Sequence, residues 1–210
     1  EWCIRNFDFL GQHGRSVELA TNMISLPRLA KFKDKKDEST YDPKGSSWQY
    51  GRQRLRDSLV RFEQWQEVIS QSEKGILQAD EKSILQRDVD RFVGIAKFES
   101  GDLAGGKTHL AALKKILDEK TAKRDKAVAD AEAKAKKANK KEAEIKKAKE
   151  SAEKQFKSDI DTYTSLANEL EAYEALTAEP ADTQRALELL PKLKNLAKWR
   201  HARLWHRAGN

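Results

Sequence analysis

The 210-residue chain predicts an all-α fold, and three observations carry that expectation. Apolar residues recur at steps of three and four along most of the chain, Val, Ile and Thr never fall into strand-like alternation, and Gly and Pro number only 10 and 4. Charged residues make up 36% and hydrophobic residues 38%, which favours an elongated or partly solvated shape over a compact sphere. No apolar run approaches the roughly 18 to 20 residues that a membrane span requires.

Taken in order, the first helix is expected over 2–12, with Trp2, Phe9 and Leu10 on one side and a stop at Gly11 and Gly14. A second, over 16–26, places Val17, Ala20, Met23 and Ile24 at helical spacing and halts at Pro27. Residues 28–47 read as a loop insertion, with a charge cluster at 33–38 and turn formers from Asp42 to Gly45. Ser46 or Ser47 caps the next helix, whose stripe is Tyr50, Leu55, Leu59 and Phe62; Trp65, Val68 and Ile69 open its partner. A helix over 80–97 then ends at Gly101.

From Leu110 a seam runs through Leu113, Leu117, Thr121, Arg124, Val128, Ala131, Ala135 and Ala138. The run from Lys136 to Lys141 sets Asn139, a residue tolerant of left-handed backbone, amid like charges. A returning seam follows through Ile145, Ala148, Ala152, Phe156, Ile160, Tyr163, Leu166, Leu170, Tyr173 and Leu176. Two arms of equal length suggest a long antiparallel coiled-coil hairpin over 107–178 with its tip near 139, each arm about 50 Å long. The alternative is one uninterrupted helix that dimerises. Beyond a break at Glu179-Pro180, helices are expected over 184–190 and 193–207, the latter carrying Leu196, Trp199, Leu204 and Trp205.

The formal charge of +7 has a location. Between Lys107 and Lys157 there are 17 Lys and Arg against 9 Asp and Glu, so the hairpin holds the whole excess. Interleaved glutamates favour a solvated face stabilised by i,i+4 pairs, with binding of nucleic acid or another anionic partner as the competing reading. Cys3 is the only cysteine, which excludes an internal disulfide. The chain begins without Met and closes on Ala208-Gly209-Asn210, which reads as a helix-pair turn; it is expected to be a fragment of a larger multidomain protein.

The segment from Phe92 to Leu103, with Gly94 at a helix crossing, Phe98 four residues later and Gly101-Asp102 at the turn, resembles a tetratricopeptide helix-turn. Weaker echoes lie at 9–14, 61–68 and 202–209. The resemblance implies helix pairs over 1–106, a hairpin inserted at 107–178, and a truncated pair over 179–210. Gly106 and Leu113 depart from the Ala usual in that family. The stretch from Ser47 to Leu55, taken with Phe62 to Trp65, the Gly-Asp turn and the charged hairpin, is similar to helical regions of large multidomain bacterial proteins. Some of these carry a redoxin domain, which implies a scaffold serving another protein or a domain of the same parent chain, a redoxin-like one among them.

Residues 101–108 spell the phosphate-loop pattern G-x-x-x-x-G-K-T, but that chemistry needs a strand before the loop, and here an amphipathic helix precedes it. An interhelical turn is the favoured reading and nucleotide binding through Lys107 and Thr108 the alternative. His201 and His206 are five apart, off one helical face, so no metal site is expected. No catalytic residue and no cofactor is assigned. Trp48, Trp65, Trp199 and Trp205 read chiefly as core anchors. The expected interaction surface comprises Lys136, Lys137, Lys140 and Lys141 with Trp48, Tyr50 and Arg52, on a non-catalytic helical-repeat scaffold.

Overall fold

The structure, a computed structural model, describes residues 2–27, 30–32, 46–80, 84–194 and 196–209, and these are predominantly helical with no strand among them. The chain is all-α. It divides into two compact units, 1–102 and 103–210. Most of the insertion expected at 28–47 lies outside the described residues; a short 3-10 turn at Ala30–Phe32 is the part within them.

In the first unit the helices are α1 (Trp2–Phe9), α2 (His13–Ser25), α3 (Ser47–Arg61), α4 (Trp65–Glu73) and α5 (Gln86–Glu99). Each packs on its sequence neighbour, α2 against α3 most extensively. Ser46 caps α3 by accepting the Gln49 N–H at 3.1 Å. The core joins Ile4, Ala20, Leu55, Leu59, Val68, Leu77, Val89, Phe92, Val93 and Ala96. Gly51 permits the α2–α3 crossing: a Cβ there would lie 2.8 Å from Ile24 Cγ1 and 2.9 Å from the Ala20 carbonyl oxygen. Polar ties cross the same interior, with the Ser58 hydroxyl donating to Asp8 at 2.9 Å and the Ser16 hydroxyl to the Ile4 carbonyl at 3.2 Å.

Three sequence expectations need correction here. The first helix, expected over 2–12, ends at Phe9; its buried positions are Ile4 and Asp8, one turn apart, while Trp2, Phe9 and Leu10 face outward. The helix expected from residue 80 begins at Gln86. Asp80 is drawn to Arg52, its N–H is bonded to the Ile84 carbonyl at 2.8 Å, and Leu85 is extended, so the earlier backbone is committed elsewhere. The α2 helix starts at His13, two residues after the left-handed Gly11, so Gly14 lies inside it.

In the second unit α6 (Leu103–Lys137) and α7 (Glu142–Thr177) are paired along their length, followed by α8 (Thr183–Leu189), a 3-10 turn at Leu190–Lys192 and α9 (Lys198–Arg207). Ion pairs fix the antiparallel register: Lys107–Glu174 (3.6 Å), Lys114–Glu171 (2.5 Å), Lys120–Asp159 (2.5 Å) and Lys149–Glu132 (2.7 Å). Deep burial on α7 begins at Ala167 and includes Leu170, Tyr173 and Leu176, and α8 and the 3-10 turn also pack against this helix. Towards the far end the seam is half-buried, apart from a buried Ala135 and an exposed Ala138.

The last helix starts five residues later than the expected 193. Ser165 on α7 takes both backbone groups of Lys194, accepting its N–H at 2.9 Å and donating to its carbonyl at 3.0 Å, so that residue is not available to a helix. Arg200 on α9 is buried and paired with the buried Glu169 on α7 at 3.7 Å.

Candidate interaction surfaces

The lysines at the α6–α7 connection are displayed by a defined helix end. Asn139 takes a left-handed φ of +50°, the Asn139 N–H donates to the Lys136 carbonyl at 3.0 Å, and the Lys140 N–H donates to the Ala135 carbonyl at 3.1 Å. These are the two bonds of a Schellman motif, which satisfies the carbonyls left over at a helix C-terminus. The next helix opens at once, with Glu144 reaching back to accept the Lys141 N–H at 3.2 Å. Four lysines are thus held within one tight connection.

Their partners differ. Lys136 pairs with Glu132 one turn below at 2.7 Å, and Lys149 from the facing helix meets the other oxygen of the same carboxylate at 2.7 Å. Hydrogen bonds from Lys136 and Lys149, reinforced by their charges, hold the Glu132 carboxyl down at about 2 from the ordinary 4.5. Lys137, Lys140 and Lys141 are exposed, and no ion pair forms on them among the described residues. Three uncompensated ammonium groups remain on the connection.

Trp48, Tyr50 and Arg52 do not form one surface. Tyr50 is exposed and Trp48 half-buried, whereas Arg52 is 0% exposed. Its guanidinium donates through Nε to the Ile76 carbonyl at 2.5 Å, and through its two terminal nitrogens to the Gln78 carbonyl and the Asp80 carboxylate. The Trp48 ring lies 4.3 Å from its Cζ. Arg52 therefore belongs to the interior, where it ties the segment before α5 to α3.

A surface that the sequence pattern did not single out lies on α1. Trp2 is 76% exposed, Phe9 74% and Leu10 69%, with Arg5 set over the Trp2 ring at 5.8 Å and Arg61 over Phe9 at 5.1 Å. The spacing i, i+7, i+8 suits a helical stripe buried or exposed alike, so periodicity carries no signal for the difference.

Residues 101–108 comprise a turn at Gly101-Asp102 and the first residues of α6. Gly101 has φ +81°, the Asp102 N–H closes onto the Lys97 carbonyl at 2.9 Å, and α6 starts at Leu103. The Thr108 hydroxyl donates to the Ala104 carbonyl of its own helix at 3.0 Å, and Lys107 faces Glu174. His13 lies against Phe62, and His201 Nε2 stands 3.1 Å from the Trp205 indole N–H and 3.0 Å from the Leu190 carbonyl. A neutral Nε2 accepts from Trp205; a protonated one donates to Leu190. Among the described residues no group of three His, Cys, Asp or Glu is placed to hold a metal ion, and no helix is long and apolar enough to cross a membrane. No protein-family profile, curated protein or solved structure matches the chain.

Proposed function

We propose that the chain is a non-catalytic helical scaffold, whose hairpin of α6 and α7 presents the connection at 138–141 to an acidic surface of another protein or of another domain of a larger parent. The observation that carries the reading is the exposed trio of Lys137, Lys140 and Lys141, uncompensated on a backbone fixed by the Schellman bonds. Presentation on a short rigid connection costs less ordering entropy than a floppy basic loop would. The half-buried two-helix seam behind it supports reading α6 and α7 as a coiled-coil hairpin, and the packing of α1 to α5 each on its sequence neighbour is compatible with a tetratricopeptide-like scaffold.

The test is retention of the chain on immobilised polyglutamate and on duplex DNA at about 50 mM salt, where exposed charges act over their longest range. Wild type should be held by polyglutamate, and the variant Lys137→Glu with Lys140→Glu and Lys141→Glu should pass through. Equal retention of both proteins on polyglutamate would remove the connection from the reading. Stronger retention by DNA would favour the nucleic-acid alternative, which the interleaved glutamates of the hairpin and the lack of aromatic residues among its basic ones before Phe156 weigh against. Tight nucleotide binding lost in Lys107→Ala would favour the phosphate-loop alternative; the helix before the turn and the Lys107–Glu174 pair weigh against it.

A further inference from the structure

A second basic cluster lies on α7, well removed in sequence from the connection. Lys154, Lys157, Ser158, Asp161 and Thr162 follow the spacing i, i+3, i+4, i+7, i+8 and therefore share one face of the helix. Lys194 joins them from the extended segment after the 3-10 turn, held there by the two Ser165 hydrogen bonds. These six residues line an open pocket of about 430 Å³.

The charges within it are unequal. Asp161 lies 3.4 Å from Lys157 and 3.5 Å from Lys194, so one carboxylate is shared between two ammonium groups. Burial alone would raise its pKa, but the charges and hydrogen bonds of Lys157 and Lys194 override that and lower it, so it stays ionised as their common counterion. Lys154 makes no ion pair among the described residues. The Thr162 hydroxyl is spent on the Ser158 carbonyl at 2.8 Å, leaving the Ser158 hydroxyl as the neutral donor of the pocket. Three ammonium groups against one carboxylate leave a net charge of +2.

We propose that this pocket binds a phosphomonoester group, with Lys154, Lys157 and Lys194 as its cationic contacts and Ser158 as a hydroxyl donor. A phosphomonoester carries a charge of about −1.5 to −2 at neutral pH, which matches the surplus, whereas a single carboxylate leaves half of it uncompensated. Its three terminal oxygens suit three point-charge donors arriving from two segments, where a bidentate carboxylate would suit an arginine fork. No aromatic residue lines the pocket, so the group is recognised by its charge and not by stacking of an attached ring. The site is independent of the reading given for residues 138–141.

The test is titration of the whole chain, followed by backbone amide NMR, with inorganic phosphate and separately with a short phosphoserine peptide. Both probes should produce saturable shifts at Ser158, Asp161, Thr162 and Lys194. Tighter binding of the peptide marks a phosphorylated side chain as the natural source; equal or tighter binding of phosphate marks a small phosphorylated molecule. Lys154→Ala disturbs no internal ion pair and should weaken either probe about fivefold with an unchanged melting temperature. The variant Lys157→Ala with Lys194→Ala should weaken it further, and loss of Lys137, Lys140 and Lys141 should change nothing. Absence of saturation below about 10 mM for both probes would overturn the proposal. So would equal affinity of the Lys154→Ala variant, or shifts centred on residues 136–141.

Discussion

Arg52 shows how a charged residue becomes part of a core. Its guanidinium is removed from water, and the cost of that is met by two carbonyls, one carboxylate and an aromatic face. Arg52→Ala leaves the Ile76 and Gln78 carbonyls and Asp80 without this partner and should destabilise the first unit by about 3 kcal/mol, measured by urea unfolding. Arg52→Lys should recover only part, because one ammonium does not reproduce the spread of a planar fork. Gly51, its neighbour, is constrained by space. Two of the three atoms that crowd an added Cβ belong to the α2 backbone, so side-chain rotation cannot relieve the overlap. Gly51→Ala should therefore cost about 2 kcal/mol and lower the melting temperature, although alanine is the better helix former.

At the level of elements, the same ending recurs. Gly11, Gly75, Gly101 and Asn139 all take left-handed backbone just beyond a helix, each followed by a residue whose N–H bonds back across the last turn. Asn139→Gly should leave stability unchanged or raise it by a few tenths of a kcal/mol. Asn139→Ala should lower it by about 1 kcal/mol, because the added strain is not relieved by a side-chain hydrogen bond. Thermal melts of the two variants decide this. The Glu132 bridge adds a pH dependence. Its folded-state pKa of about 2 lies below the ordinary 4.5, so its contribution is present above about 4.5 and is lost as pH falls towards 2. Titration of the far end of α6 and α7 by amide hydrogen exchange should show protection falling across that window, and Glu132→Gln should flatten the dependence. Glu171 behaves in the same sense: burial would raise its pKa, but Lys114 and Arg185 lower it.

For the molecule as a whole, the net charge of +7 describes an average that no surface carries. Along α6 and α7, Lys107, Lys114, Lys120, Lys136, Lys149 and Lys157 are paired with glutamates or aspartates of the same two helices, and Lys137 and Lys154 are among the lysines outside those pairs. Association with a polyanion should therefore be weak and steeply salt-dependent. If duplex DNA is the probe, replacing Lys137, Lys140 and Lys141 should reduce the slope of log affinity against log salt by about 2 to 3, one counterion per lysine. A slope unaffected by these changes would mean that the charge acts diffusely along the helices.

Sequence alone determined the all-α class, most helix ends and the apolar seams of α6 and α7, because each depends on local backbone preference or on helical periodicity. Gly at a left-handed position, Ser at an N-cap and apolar steps of three and four act over a few residues, so they can be read in place. Only the tertiary structure decided which apolar stripe is covered, and so turned Trp2, Phe9 and Leu10 outward while taking Arg52 inside. It also delayed the start of α5 and of α9, by drawing Asp80 to Arg52 and Lys194 to Ser165. Those bonds join residues 28 and 29 apart in sequence, and no local pattern records them. The pocket at Lys154, Lys157 and Lys194 arises in the same way. Its face on α7 is periodic, but the third lysine arrives through a contact that folding alone creates.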